Sequence, residues 1–268
     1  MHFVAYVEKF TRNMVKFNRS ATIASLRRQS LQDGHANNAF GFDLIGFDLD
    51  GTLIDTSATL ARAASAARAE LGYPPVSKDQ IRRMITKGAA AIVTCDLHFD
   101  ERADSIEVDY LRAAMLRRYE ADIAIGSELA PGSLAALDAL EDLGVPVAIV
   151  TNKTESLALK LLREMDLAHR FRTVLGTSSL AVRKPKPDPY MLREMVQRCV
   201  AEHDMRRPPA VAYVGDSDGD VWAAKAAGIT SIFYAKGFHT DDARFVGADA
   251  TIDHFDELVP TLRGLSNA

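Results

Sequence analysis

The stretch FDLDGTLID, residues 47–55, ends an apolar run in two carboxylates one residue apart. Leu44-Ile45-Gly46-Phe47 reads as a buried strand leaving the core, so Asp48 and Asp50 fall where its carboxyl end meets solvent. Two carboxylates this close repel each other unless a cation or a shared proton intervenes. The pair therefore implies a bound metal or one strongly raised pKa. Taken alone, the segment could also be a strand that merely ends in acidic residues.

Three further segments bear on that choice. The apolar run Val147-Ala148-Ile149-Val150 ends in Thr151-Asn152, Lys184 opens KPKPDP at 184–189, and Tyr213-Val214-Gly215 leads into Asp216-Ser217-Asp218-Gly219-Asp220. Each falls at a predicted strand end or loop. In this order the four segments resemble the motifs of the haloacid dehalogenase-like phosphohydrolases, and the resemblance covers about residues 42 to 260. It implies a Rossmann-like α/β core with a mainly parallel sheet and an inserted helical cap.

The same resemblance implies roles. Asp48 is the expected nucleophile, a carboxylate able to form an aspartyl-phosphate, and Asp50 the general acid that protonates the leaving alcohol and later deprotonates water. Asp48, the backbone carbonyl of Asp50, Asp216 and waters would make the oxygen shell that suits magnesium. Asp220 is expected just outside that shell or on a metal-bound water, and Asp218 as a cap of the helix that follows. Thr151 and the amide of Asn152 would bind the transferring phosphoryl oxygens, with Lys184 pinning another. Lys184 is preferred to its neighbours Arg183 and Lys186 by its spacing to the prolines. Gly51, Thr52 and Asp55 are assigned to the turn after the nucleophile. A calcium-loop reading of 216–220 fails, because the glycine is misplaced and the twelfth position is Ala227.

Composition narrows the class. With 47% hydrophobic and 25% charged residues in 268, the chain can bury an ample core. Cys95 and Cys199 lack CxxC or Cys/His spacing, so neither a disulfide framework nor a zinc site is expected. A reducing compartment, the cytoplasm, fits. No apolar run reaches the roughly 18 residues a membrane span needs. Residues 1–40 carry six Lys/Arg against Glu8 and Asp33, hence +4, which leaves −8 on the rest of a chain of net −4. An acidic body argues against nucleic-acid binding. In residues 1–40, Phe3, Val7, Phe10, Met14 and Phe17 recur at helical spacing, and Arg27, Arg28 and nearby serines faintly resemble a transit peptide. A loose extension, a targeting or surface-binding segment, and a start at Met14 are the three readings.

The pattern divides the remainder into a catalytic core at 41–56 and 131–268 and a helical cap at 57–130. Four cap helices are expected: Ala58 to Leu71; one from Ser77 with Gln80 completing a capping box; Ala89 to His98 after a break at Lys87-Gly88; and Asp100 to Tyr119. From Pro131, strands at 147–150, 171–175, 210–214, 230–234 and 250–252 alternate with helices, which implies parallel crossovers and a site at the strands' carboxyl ends. Asp50 speaks for phosphoryl transfer over dehalogenation. Phosphonate cleavage would need a Schiff-base lysine such as Lys78 or Lys87, and a mutase differs mainly in excluding water.

The expected activity is magnesium-dependent hydrolysis of a small anionic phosphate monoester, 2-phosphoglycolate foremost. Sugar phosphates, nucleoside monophosphates and pyrophosphate are alternatives, as is a retired phosphatase serving as a binding module. Lys87 is the cap candidate for a substrate's second anion, preferred to Arg82 and Arg83 because Gly88 lets the backbone approach a ligand. The oligomeric state is left open.

Overall fold

Leu44–Phe47 (β1) is buried along its whole length, as a strand with neighbours on both edges and helices on both faces must be. In the computed structural model, residues 40–97, 104–203, 208–238 and 247–266 are described. All of 1–40 except Phe40, including the expected amphipathic helix and transit-like segment, lies outside them.

The core elements follow in chain order. Ile54–Asp55 is β2 and Glu128–Leu129 β3, then come helix Ser133–Asp142 (α5), Val147–Val150 (β4), Glu155–Glu164 (α6) and Phe171–Leu175 (β5). Tyr190–His203 (α7), Val211–Gly215 (β6), Asp218–Ala227 (α8), Thr230–Tyr234 (β7), Ala250–Ile252 (β8) and Leu258–Ser266 (α9) complete it. The six long strands form one parallel sheet in the order β5-β4-β1-β6-β7-β8. Gly46 pairs with Ala148 on one side and Tyr213 on the other, so the loops leaving β4, β1 and β6 are neighbours at one end. Three of the four sequence segments ride on these loops. Strand order reverses about β1, the place where open parallel sheets form their ligand crevice.

One sheet face packs Leu44, Ala148, Val150, Leu175 and Tyr213 against Met191, Leu192, Met195 and Cys199 of α7 and Ala223 and Ala224 of α8. Each fully buried Leu or Met here contributes about 1.5–3 kcal/mol. Cys199 is thus core, and Cys95 is buried too, both as free thiols.

Between β2 and β3 lies the helical cap: Ser57–Ala69 (α1), Lys78–Met84 (α2), Ala89–Thr94 (α3) and Asp104–Ala121 (α4). Ser77 accepts from the Gln80 amide and the Gln80 side chain accepts from the Ser77 amide, the capping box expected. Gly88 breaks the chain with φ +90°. One expectation is corrected. The third cap helix stops at Thr94, short of His98, because Cys95 turns extended. The orphan carbonyls at that end are taken by the buried Arg68 guanidinium, which donates to Val93 and Cys95 and also to Pro74. The two chain passages into and out of the cap also pair as antiparallel strands, Ile54 with Leu129 and Asp55 with Glu128. Runs of two residues leave no alternation for a sequence to show.

Candidate active site

Asp48 continues the line of β1, its amide donating to the Val214 carbonyl at 2.9 Å. The chain then folds back on itself: the Gly51 amide donates to the Ile54 carbonyl, and Leu53 and Ile54 both donate to Leu49. Gly51 has φ +87°, and a Cβ there would stand 2.5 Å from Asp216 Oδ2, so both conformation and space require glycine. This turn swings Thr52 beneath Asp216, where its hydroxyl donates to Oδ1 at 2.9 Å while the Phe238 amide donates to Oδ2 at 2.5 Å.

Asp48, Asp216 and Asp220 converge, with one carboxylate oxygen of each within 4.8 Å of the others, and all three are buried. Burial pushes the Asp48 carboxyl up to about 6 against the pull of Lys186, and Asp220 adds to the rise. Burial, then the Asp220 and Asp48 charges, drives Asp216 well above the ordinary aspartate range despite the Phe238 and Thr52 bonds. Asp220 has both oxygens committed: Oδ1 accepts from Lys186 Nζ at 2.5 Å and from the Tyr213 hydroxyl, Oδ2 from the Ser217 amide and hydroxyl. Its side chain and Ser217 form the capping box of α8, so Ser217, not Asp218, is the helix cap.

The cation beside Asp48 is Lys186, not Lys184. Lys186 Nζ stands 2.8 Å from Asp48 Oδ1 and also donates to the Tyr213 hydroxyl and the Val150 carbonyl. Burial disfavours this ammonium, yet Asp220 and Asp48 outweigh it and raise its pKa. Lys184 is exposed, its ammonium 5.3 Å from the Tyr190 ring centroid. The reason lies in Asn152. Its side chain brackets the Lys186 backbone, accepting from the amide at 2.8 Å and donating to the carbonyl at 3.0 Å, which turns that lysine inward. Thr151 is buried at the end of β4, its amide donating to the Leu175 carbonyl.

Asp50 points elsewhere. Both its oxygens accept from Lys153 Nζ at 2.8 Å, and Oδ1 also accepts from the Thr56 hydroxyl at 2.7 Å. Lys153 Nζ donates in turn to the Tyr119 hydroxyl of cap helix α4 at 2.7 Å. Burial works against the Lys153 charge, but the Asp50 carboxylate and then Tyr119 lift its pKa above the ordinary lysine value. The Tyr119 hydroxyl is pushed up to about 12 by burial, against the pull of Lys153. The sequence reading missed both residues. A lysine one place after Thr151-Asn152 was the available signal.

Asp55 was expected to hold the turn after the nucleophile, but it accepts from the Ser57 amide and hydroxyl at the start of α1 and also pairs with Arg82 of the cap at 2.6 Å. The Arg82 guanidinium lies 5.6 Å from the Phe238 ring centroid. Arg82 is therefore a cap cation in contact with core loops. Lys87 is exposed in the turn Ile85–Lys87 and makes no ion pair among the described residues.

The donor set fits a divalent cation. Among the described residues, the three buried carboxylates are met by one ammonium, that of Lys186, which pairs with Asp48 and Asp220 but not with Asp216, leaving the cluster short of positive charge. Asp48 Oδ1, moreover, is buried with the Lys186 ammonium, already donating to Asp220, Tyr213 and Val150, as its one cationic neighbour among the described residues.

A parallel sheet carrying these carboxylates on the loops after β1 and β6 defines a hydrolase class, and the chain belongs to the haloacid dehalogenase-like hydrolases, whose family model matches residues 45–234. Within it the chain is a phosphoric monoester hydrolase of the phosphoglycolate phosphatase-like branch. It is 37% identical over 193 residues to a phosphoglycolate phosphatase of Rhodobacter capsulatus, covering 72% of this chain and 84% of that protein. It is 33% identical to that of Chromobacterium violaceum, covering 82% and 96%. Among solved structures, a predicted phosphoglycolate phosphatase from Haemophilus somnus superposes with a TM-score of 0.70 at 24% identity, over 82% of this chain and 98% of that one.

Proposed function

We propose that this chain is a magnesium-dependent phosphatase for a small anionic phosphate monoester, with 2-phosphoglycolate as the foremost substrate, working through an aspartyl-phosphate on Asp48. The observation that carries the reading is the buried Asp48 carboxylate, set against Lys186 and grouped with Asp216 and Asp220 at the carboxyl ends of β1 and β6. Relatives named phosphoglycolate phosphatase at 31–37% identity support the substrate.

Attack by a carboxylate on a phosphate ester brings anion to anion, so the surrounding charge decides whether it proceeds. Lys186 lies against Asp48 and serves the role expected of Lys184: it offsets the nucleophile's charge and meets a phosphoryl oxygen. Thr151 and the amide of Asn152 bind the other oxygens. The Asn152 side chain contributes indirectly by fixing Lys186. Asp50 in its protonated form gives a proton to the leaving oxygen, and the resulting carboxylate, the form that accepts from Lys153 and Thr56 in this structure, then takes a proton from the attacking water. Asp48, the Asp50 carbonyl and Asp216 would hold magnesium, with Asp220 anchoring Lys186 beside them. Bound there, the cation would neutralise developing charge on the phosphoryl group. Residues 57–130 act as the cap that selects the substrate, since the core residues engage only the phosphate and its bridging oxygen. Arg82 and Lys87 are the cap cations offered to a second anion.

The test is magnesium-dependent phosphate release across 2-phosphoglycolate, sugar phosphates, nucleoside monophosphates, pyrophosphate and an aryl phosphate. The reading expects 2-phosphoglycolate to show the highest kcat/KM. Another substrate in first place would move the assignment to it, and no release from any would leave a binding module.

A further inference from the structure

Lys153 and Tyr119 have no part in the chemistry proposed above, yet Lys153 is paired with Asp50 and Tyr119 holds Lys153. An ammonium has three hydrogens, and those of Lys153 go to Asp50 Oδ1, Asp50 Oδ2 and the Tyr119 hydroxyl. Thr56 adds a third donor to the same carboxylate. The lysine side chain is 8% exposed and the carboxylate 14%, so water competes little for either. Contact at both oxygens fixes both torsions of a side chain that one hydrogen bond would leave free to swing. The four groups come from different parts of the fold. Asp50 follows β1, Lys153 follows β4, Thr56 opens the passage into the cap, and Tyr119 lies in α4 of the cap itself.

We infer that Lys153 is a positioning residue for Asp50, and that Tyr119, by holding Lys153, makes this positioning depend on the cap. The inference rests on the reading of Asp50 as general acid. Misplacement of an acid by about 1 Å can cost roughly a hundredfold in rate. The loss falls on substrates whose leaving oxygen must be protonated, an alkyl phosphate such as 2-phosphoglycolate. It should largely spare a nitrophenyl phosphate, whose leaving group departs as a stable anion. A residue that merely filled space would depress both substrates together.

The experiment compares kcat/KM on the two substrates in the full chain, a quantity that reports steps through phosphoryl transfer to Asp48. Lys153→Met should lower the alkyl-to-aryl ratio by about 30-fold or more, and Lys153→Arg, which retains a two-point donor, should recover most of it. Tyr119→Phe should lower the ratio by about threefold to tenfold, and in the Lys153→Met background it should lower it no further, because it acts through Lys153. If Lys153→Met does not fold, Tyr119→Phe carries the test. Asp50→Asn is the control. An unchanged ratio there overturns the acid assignment and this inference with it. A lowered ratio in Asp50→Asn with unchanged ratios in Lys153→Met and Tyr119→Phe overturns the inference alone.

Discussion

Replacing Lys186 by Met removes the only ammonium in contact with Asp48 among the described residues and leaves Asp48 and Asp220 buried without it. Methionine matches the stem in volume, so the change is mainly one of charge and lost hydrogen bonds. Breaking a buried ion pair from one side costs about 3–5 kcal/mol. For a protein this size that lowers Tm by about 6 to 20 °C. Catalysis should fall by at least about a hundredfold, the scale seen when one preorganised electrostatic group is lost. Lys184→Met is the matched control: an exposed ammonium over Tyr190 is worth at most about 0.5–1 kcal/mol, and turnover should stay within about twofold. The assays are thermal unfolding in the presence of chelator, so that no bound cation substitutes for the lysine, and phosphate release with saturating magnesium. The reverse ranking, with Lys184→Met inactive and Lys186→Met near wild type, would refute the placement of the phosphate-side cation.

Three further outcomes follow from the geometry. Asp216→Ala should raise the magnesium concentration for half-maximal activity at least about tenfold, because it removes a carboxylate of the cluster and leaves Asp48 in place; an unchanged titration would take Asp216 out of the metal site. Lys87→Ala should raise KM for 2-phosphoglycolate about tenfold and barely change it for an aryl phosphate lacking a carboxylate, the worth of one charge-assisted contact; equal effects would leave Lys87 a surface residue. Arg82→Ala should cost no more than about 1 kcal/mol at pH 7, since the Asp55 pair is partly exposed. Burial opposes the Asp55 charge, but Ser57 and then Arg82 outweigh it and hold its folded pKa below the ordinary 3.8. A depressed carboxylate stabilises the fold above 3.8 and loses that contribution as pH falls below it, so the Tm gap between wild type and Arg82→Ala should close in acid. A gap that persists there would assign the effect to the Phe238 contact instead.

The parts that were legible in the sequence are those written in local patterns. Fully apolar four- and five-residue runs announced β1, β4 and β6, and the capping box at Ser77 announced its helix, because burial and capping impose composition on neighbouring residues. Asp48 and Asp216 were legible because each follows such a strand directly. What escaped depends on residues far apart in the chain. Lys184 and Lys186 sit in identical Lys-Pro contexts, and it is Lys186 whose backbone Asn152, 34 residues away, brackets and whose ammonium meets Asp48 and Asp220. Lys153 has a partner 103 residues distant in Asp50, and Arg68 reads as one more helix arginine until the carbonyls of Val93 and Cys95 close over it. The β2–β3 pairing was hidden by its brevity, since two residues carry no period.

The central claim is that Asp48 takes the phosphoryl group. Rapid acid quenching of a single turnover with a radiolabelled phosphate ester, followed by proteolysis, tests it directly. The account predicts a transient label on the peptide containing Asp48, released by hydroxylamine as an acyl phosphate should be, and absent from Asp48→Asn. Full turnover with no labelled protein at any quench time, or label that survives the Asp48→Asn substitution, would contradict it.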